Sequence, residues 1–149
     1  MKKYKLPVSA LVVIYTANLD VLLLERADHP GYWQSVTGSR DDDEPLRTTA
    51  IREVAEETGL DATHYPLSDW GITNTYAIYA KWQHRYPPGT THNTEHVFGM
   101  ELPGILSVQL SPREHLSYKW LPWQEAAAEV FSPSNRAAIL LLPERVRHA

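Results

Sequence analysis

The chain has 149 residues, 43% hydrophobic and 21% charged, which is the composition of a globular domain and excludes a disordered or fibrous segment. With no cysteine it can form no disulfide, no thiol nucleophile and no cysteine-ligated zinc site. Lys+Arg 14 against Asp+Glu 18 gives a formal net charge of -4, so the overall field does not attract polyanions, and no basic stripe marks a nucleic-acid surface.

A single domain over residues 1–149 is expected, because a chain this long buries roughly 70% of its unfolded surface without metal or disulfide staples. The longest apolar runs, Ala10 to Tyr15 and Ala137 to Leu142, fall far short of the roughly 18 to 20 residues that cross a bilayer. No membrane partner is expected, and a cytoplasmic location is.

Val8 to Tyr15 and Val21 to Leu24 are rich in Val, Ile and Leu, and the Thr16 to Asp20 break between them predicts a hairpin. Gly31 to Ser39 reads as loop. Pro45 then opens a run of helix formers that closes at Gly59; proline suits a first helical turn and glycine a C-terminal cap, so an amphipathic helix is expected from about Pro45 to Thr58. Trp70, Ile72, Asn74, Tyr76, Ile78, Ala80 and Trp82 repeat with period two, and a second β-rich run, Glu95 to Leu102, follows the Pro87-Pro88-Gly89 turn. A short strand is predicted at Tyr118 to Leu121, a helix at Pro122 to Phe131, and a last helix from about Asn135 to Leu142, ended by Pro143. That order implies an α+β fold layered α/β/α about a mixed sheet.

The informative segment runs from Gly38 through Asp41, Asp42, Asp43 and Glu44 to Arg52-Glu53-Val54-Ala55-Glu56-Glu57-Thr58-Gly59-Leu60. At about 100° per residue, with Glu53 at zero, Glu56 falls near −60° and Glu57 near +40°, whereas Ile51, Val54, Ala55 and Thr58 fall between about 100° and 200°. The three carboxylates thus form one stripe and the packing residues the opposite face. Like charges at these spacings repel, and the last turns of a helix disfavour negative charge. Helix stability alone would not place them there, and a hard divalent cation removes the conflict: Mg²⁺, or Mn²⁺ in its place, takes oxygen ligands from one or two carboxylates and from substrate phosphates. Arg52, four residues before Glu56, is expected to orient the loop.

This segment resembles the box that defines the Nudix hydrolases, enzymes that cut diphosphate linkages. The pattern is Gly, five residues, Glu, seven residues, Arg-Glu, an aliphatic, any residue, Glu-Glu, any residue, Gly, an aliphatic. Gly38, Glu44, Arg52, Glu53, Val54, Glu56, Glu57, Gly59 and Leu60 satisfy every required position. The resemblance implies a Nudix-like α/β/α sandwich with a mixed sheet. It also implies Glu53 and Glu57 as principal metal ligands, Glu56 as a further ligand or as the base, and Glu44 as a supporting ligand or brace. The box often has glycine directly before its first glutamate, and this chain has Asp43 there, a departure that concerns the loop's conformation.

Two more segments, His84 to His96 and Glu114 to Leu121, together with Lys5 to Ser9 and Tyr32 to Gly38, resemble the bacterial Nudix subfamily that removes pyrophosphate from dihydroneopterin triphosphate. By that resemblance Lys5 and Arg26 contact phosphate, Thr37 is a polar contact at the mouth of the catalytic loop, and Glu114 is a late metal ligand or base. Tyr76, Ala77, Ile78 and Tyr79 line the pterin pocket, with Ser132 at the start of the last helix a further donor. His84, His92 and His96 match no familiar ligand spacing and read as exposed loop residues.

The expected activity is Mg²⁺-dependent hydrolysis of a small-molecule triphosphate, 7,8-dihydroneopterin triphosphate, to the monophosphate and pyrophosphate by activated water. A house-cleaning nucleoside triphosphate pyrophosphatase shares the acidic helix and differs only in its base pocket. A catalytically silent nucleotide- or RNA-binding module would have no use for glutamates that destabilise their own helix. Oligomeric state, metal number, the attacked phosphorus and the identity of the base stay open.

Overall fold

The computed structural model describes residues 3–147. Seven strands form one mixed sheet: β1 (Val8–Thr16), β2 (Asp20–Arg26), β3 (Trp33–Gln34), β4 (Val36–Ser39), β5 (Leu67–Ala77), β6 (His92–Leu102) and β7 (His115–Pro122). The order β3-β2-β1-β6-β5 is completed by β4 on β1 and β7 on β2; β1 and β6 run parallel and the other pairs antiparallel. The predicted β1–β2 hairpin forms, with Tyr15 opposite Val21, but the Ser9 to Val12 stretch of β1 pairs with β4 instead.

Successive side chains of a strand face opposite sides, so a strand covered on both sides is apolar throughout. In β1, Ala10, Val12 and Ile14 pack towards α1 (Leu46–Thr58), while Leu11, Val13 and Tyr15 pack towards α2 (Trp123–Glu129), α3 (Pro133–Leu140) and α4 (Leu142–Arg147). Those two apolar layers make the expected α/β/α sandwich. Gly99 of β6 lies under the Trp70 indole, where any Cβ would overlap the ring. Among the described residues no helix is long and apolar enough to cross a membrane.

Three segments depart from the sequence reading. Gly31 to Ser39 is not wholly loop but holds β3 and β4, strands too short to show periodicity. The period-two run does not extend through Ala80 and Trp82: β5 ends at Ala77, and Ala80–Arg85 forms a 3₁₀ turn. The ladder runs out of partners, since beyond Thr91, which accepts from the Ile78 N–H at 2.8 Å, the opposing chain turns back through Pro87, Pro88 and Gly89, and proline has no N–H to donate. Pro143 does not end the helical region; it sits in the first turn of α4, where a missing N–H costs nothing.

Because Leu23 of β2 is fully buried in the layer facing α2–α4, Leu23→Ala is expected to lower unfolding free energy by about 2–5 kcal/mol. Urea denaturation reads this directly, and a loss under ~1 kcal/mol would place Leu23 outside the core.

Candidate active site

The acidic helix is bounded as its punctuation demands. Pro45 precedes α1 in an extended conformation, and Gly59 follows it at φ 75°, its N–H donating to the Ala55 carbonyl at 2.9 Å. The buried face of α1 includes Val54 and Thr58, with Ile51 packed on the core as expected, but it is wider than expected. Ala55 is exposed, whereas Glu53 (7% exposed) and Glu57 (1%) lie on the buried side with Ala50 and Val54. The correction has a local cause: β4 packs against this face, and at Gly38 it presents bare backbone, so close that a Cβ there would overlap the Glu53 carboxylate.

Both carboxylates are held above the ordinary carboxylate pKa. For Glu57 the causes are burial first and then the adjacent Glu53, opposed by the Thr37 backbone amide. For Glu53 burial again leads, while Glu57 and Arg52 lower it and Glu56 raises it. Both Glu57 oxygens are buried, and neither reaches hydrogen-bond geometry with a neighbour, the Thr37 N–H included. His115 Nε2 stands 3.6 Å from Glu57 Oε1, but burial, then Arg26, draws its pKa down to about 4, so it is neutral near pH 7. A buried carboxylate pair in which one member, Glu57, has open oxygens and no cation beside it is the chemistry a hard divalent cation satisfies.

Arg52 holds the outer side. Nη2 bonds Glu44 Oε1 at 2.6 Å and the Ser39 carbonyl at 2.9 Å, Nη1 bonds Glu53 Oε1 at 2.7 Å, and Glu56 Oε1 is 3.5 Å from Nη1. Arg52 first, aided by the Asp41 N–H and the Thr49 hydroxyl, draws the Glu44 pKa down to about 2. In this loop Asp42, and not Asp43, takes a left-handed turn, at φ 45°, a conformation aspartate tolerates. Glu44 is therefore a brace, and Glu56 lies on the solvent side of Arg52. Among the described residues no three His, Asp or Glu side chains converge into a metal cage; Glu53 and Glu57 offer carboxylate oxygens of the kind a hard divalent cation takes together with waters and phosphate oxygens.

A cavity of about 640 Å³ opens over Glu57 and runs along the sheet to α3. Lys5, Arg26, Thr37, Tyr76, Ala77, Ile78, Tyr79, Glu114 and Ser132 all line it. Burial, then Arg85, lowers the Lys5 pKa, and among the described residues no hydrogen bond or ion pair claims its ammonium or the Glu114 carboxylate. Glu114 is pinned through its backbone, its N–H bonding the Ser111 carbonyl at 3.0 Å and its carbonyl accepting from Ala27 at 2.9 Å. Arg26 is more committed: it forks onto Asp28 at 2.7 and 2.8 Å, bonds Gln34 at 2.9 Å and lies 4.3 Å from the Trp82 ring. Arg85 joins the same Asp28 at 2.9 Å. Tyr79 stacks on Trp82 at 5.3 Å with Phe131 edge-on to both, an aromatic wall for a planar group. The Tyr76 hydroxyl accepts from Asn93 at 3.0 Å, and burial, then Glu95, pushes its pKa up to about 12. Ser132 caps α3.

Residues 5–142 match the NUDIX domain family. The chain belongs to that family. It is 46% identical over 141 residues to the dihydroneopterin triphosphate diphosphatase of Escherichia coli K12, covering 93% of each chain, and 39% identical over 142 residues to the Haemophilus influenzae protein of the same name, covering 93% of this chain and 89% of that one. The solved E. coli dihydroneopterin triphosphate pyrophosphohydrolase superposes with a TM-score of 0.89 at 44% identity, covering 99% of this chain and 100% of that one. Nudix hydrolases use divalent metal ions, and the Glu53–Glu57 pair of this Nudix domain fits one.

Sequence reasoning missed Asn74, Asn93, Glu95, Arg85, Trp82, Phe131 and His115, which the Nudix sheet and loops also bring to the cavity. Asn93 and Glu95 interrupt the apolar face of β6 at spacing two, a signal that was available. His92 and His96 lie in β6 and not in a loop.

An acid whose folded pKa is raised imposes a penalty in its ionised form, relieved as pH falls through that pKa. Glu57→Gln is therefore expected to raise the stability of metal-free protein at pH 7 by on the order of 1 kcal/mol, with the advantage over wild type shrinking towards pH 5. Thermal melts in a chelator at both pH values check this, and a less stable variant at pH 7 would contradict it.

Proposed function

We propose that the chain acts as one cytoplasmic catalytic domain, a Mg²⁺-dependent hydrolase that converts 7,8-dihydroneopterin triphosphate to the monophosphate and pyrophosphate. The observation that carries this reading is one cavity with the buried, unpartnered Glu57 carboxylate at one end and an aromatic, hydrogen-bonding pocket at the other. The names and close identity of the two bacterial relatives support the choice of substrate.

Glu53 and Glu57 hold the metal against β4. When bound, Mg²⁺ neutralises phosphate oxygens and lowers the pKa of a water. Lys5, with no competing partner, takes a phosphate, and Thr37 orients the chain of phosphates at the mouth of the loop. Glu114 stands close enough to Glu57 and Lys5 to perturb both, and is the better-placed group to accept the proton of the attacking water. Glu56, outside Arg52, adds negative potential and keeps Arg52 in place. Tyr76 to Tyr79 and Ser132 receive the head group.

Product analysis with dihydroneopterin triphosphate and a panel of nucleoside triphosphates at equal concentration tests the substrate. The pterin is expected to give pyrophosphate with the highest kcat/KM. A nucleotide that wins tenfold, about 1.4 kcal/mol of transition-state preference, would replace it. Glu57→Gln is expected to lower kcat at least ~10³-fold with little change in KM, and near-normal turnover would remove Glu57 from the metal site.

A further inference from the structure

The floor of the cavity is built where β1, β5 and β6 lie side by side. Glu95 of β6 is in register with Ser9 of β1 on one side and Asn74 of β5 on the other; two residues earlier on the same face Asn93 stands opposite Tyr76. All five side chains line the cavity. On a sheet face that further along carries Val97 and Trp70, this patch of polar groups is out of place as core.

Its hydrogen bonding is incomplete in one direction. Asn93 donates to Ser9 Oγ at 2.8 Å and to the Tyr76 hydroxyl at 3.0 Å, leaving its Oδ1 buried with no donor. Glu95 is 3% exposed, and Asn74 reaches it only at 3.4 Å. A carboxylate offers about four acceptor sites, and with Asn74 and Ser134 the side chains that reach it, acceptor capacity is left over. Burial holds its pKa above the ordinary value, with Ser134 and Asn74 pulling the other way. No basic side chain pairs with it among the described residues. The floor thus presents acceptors in excess, and a ligand that fits it must bring donors.

We infer that Glu95 is a specificity-determining residue that accepts two parallel hydrogen bonds from the amino and ring N–H groups of a 2-amino-4-oxopyrimidine edge, with Asn93 Oδ1 as a further acceptor beside it. This rests on the pterin reading above and deepens it. Two adjacent donors on a planar ring match a carboxylate bidentately, the geometry that makes such pairs strong and selective. The edge is shared by pterin and guanine; adenine, cytosine and uracil do not present that pair of donors. A site whose buried acceptor needs a donor rejects the analogue that lacks it, because the acceptor is then left desolvated and unpaired.

The full-length protein tests this with Mg²⁺ present. Wild type and Glu95→Gln are compared on dihydroneopterin triphosphate, and on the pair GTP and ITP, which differ only in the 2-amino group. Binding of phosphate-free dihydroneopterin and of inorganic tripolyphosphate is measured by calorimetry. In Glu95→Gln we expect KM for the pterin substrate to rise at least tenfold with a much smaller change in kcat. Dihydroneopterin affinity should fall in parallel while tripolyphosphate affinity holds. Wild type should prefer GTP over ITP at least tenfold, and the variant should lose that preference. Unchanged pterin KM, or a GTP/ITP ratio that survives the substitution, overturns the assignment. So does parallel loss of dihydroneopterin and tripolyphosphate binding, which marks a structural role. If wild type does not turn over the pterin at all, the substrate reading fails separately, and the GTP/ITP ratio alone decides Glu95.

Discussion

Two glutamates buried side by side, with one cation, Arg52, on Glu53 and none on Glu57, are the constraint around which this molecule is arranged. Glu53 and Glu57 repel each other, and removing them from water costs several kcal/mol more. The rest of the site reads as a means of holding that unfavourable pair still. Gly38 lets β4 approach so closely that the Glu53 carboxylate rests on backbone. Arg52 neutralises one oxygen from outside while anchored to Glu44 and the Ser39 carbonyl, so the guanidinium cannot swing across to Glu57 and quench the site. His115, the basic group 3.6 Å from Glu57, is kept neutral by burial. Stability is traded for a fixed cluster of negative groups of the kind a divalent cation balances.

The sheet then separates the tasks by position. Farther along β1 and β6 both faces carry apolar residues and build the two cores, whereas near their N-terminal ends the same strands carry Ser9, Asn93 and Glu95 into the cavity. Because the strands are shared, this floor of the cavity is continuous with the core. The phosphate end is built differently, from a helix face and loops braced by salt bridges at Arg52 and Asp28.

Much of this was legible beforehand, for identifiable reasons. Proline before and glycine after a helix act through backbone sterics, so Pro45 and Gly59 bounded α1 correctly. The spacing of Arg52, Glu53, Glu56 and Glu57 marked a metal-directed stripe, because like charges at helical spacing need an outside cause. That two of its three carboxylates are buried was not legible. Hydrophobicity alone sends carboxylates to solvent and alanine inwards, yet Glu53 and Glu57 are buried and Ala55 is exposed, since what lies against the helix is the bare backbone at Gly38. Trp82 misled for a similar reason: its period-two spacing was real, but a strand persists only while a partner supplies N–H groups, and Pro87 and Pro88 supply none.

By itself, then, the sequence determined what is local or compositional: the helix and its limits, the absence of disulfides, the apolar strands, and the family-defining set of charged residues. Those follow from backbone sterics, residue chemistry and fixed helical spacing. Only the tertiary structure decided which carboxylates are buried, that Arg26 is already engaged by Asp28, and that Glu95, Asn93 and Asn74 share one floor with Ser9. These are facts about neighbours distant in the chain. Burial and pKa depend on what is packed opposite a group, and no spacing along a single strand or helix encodes that.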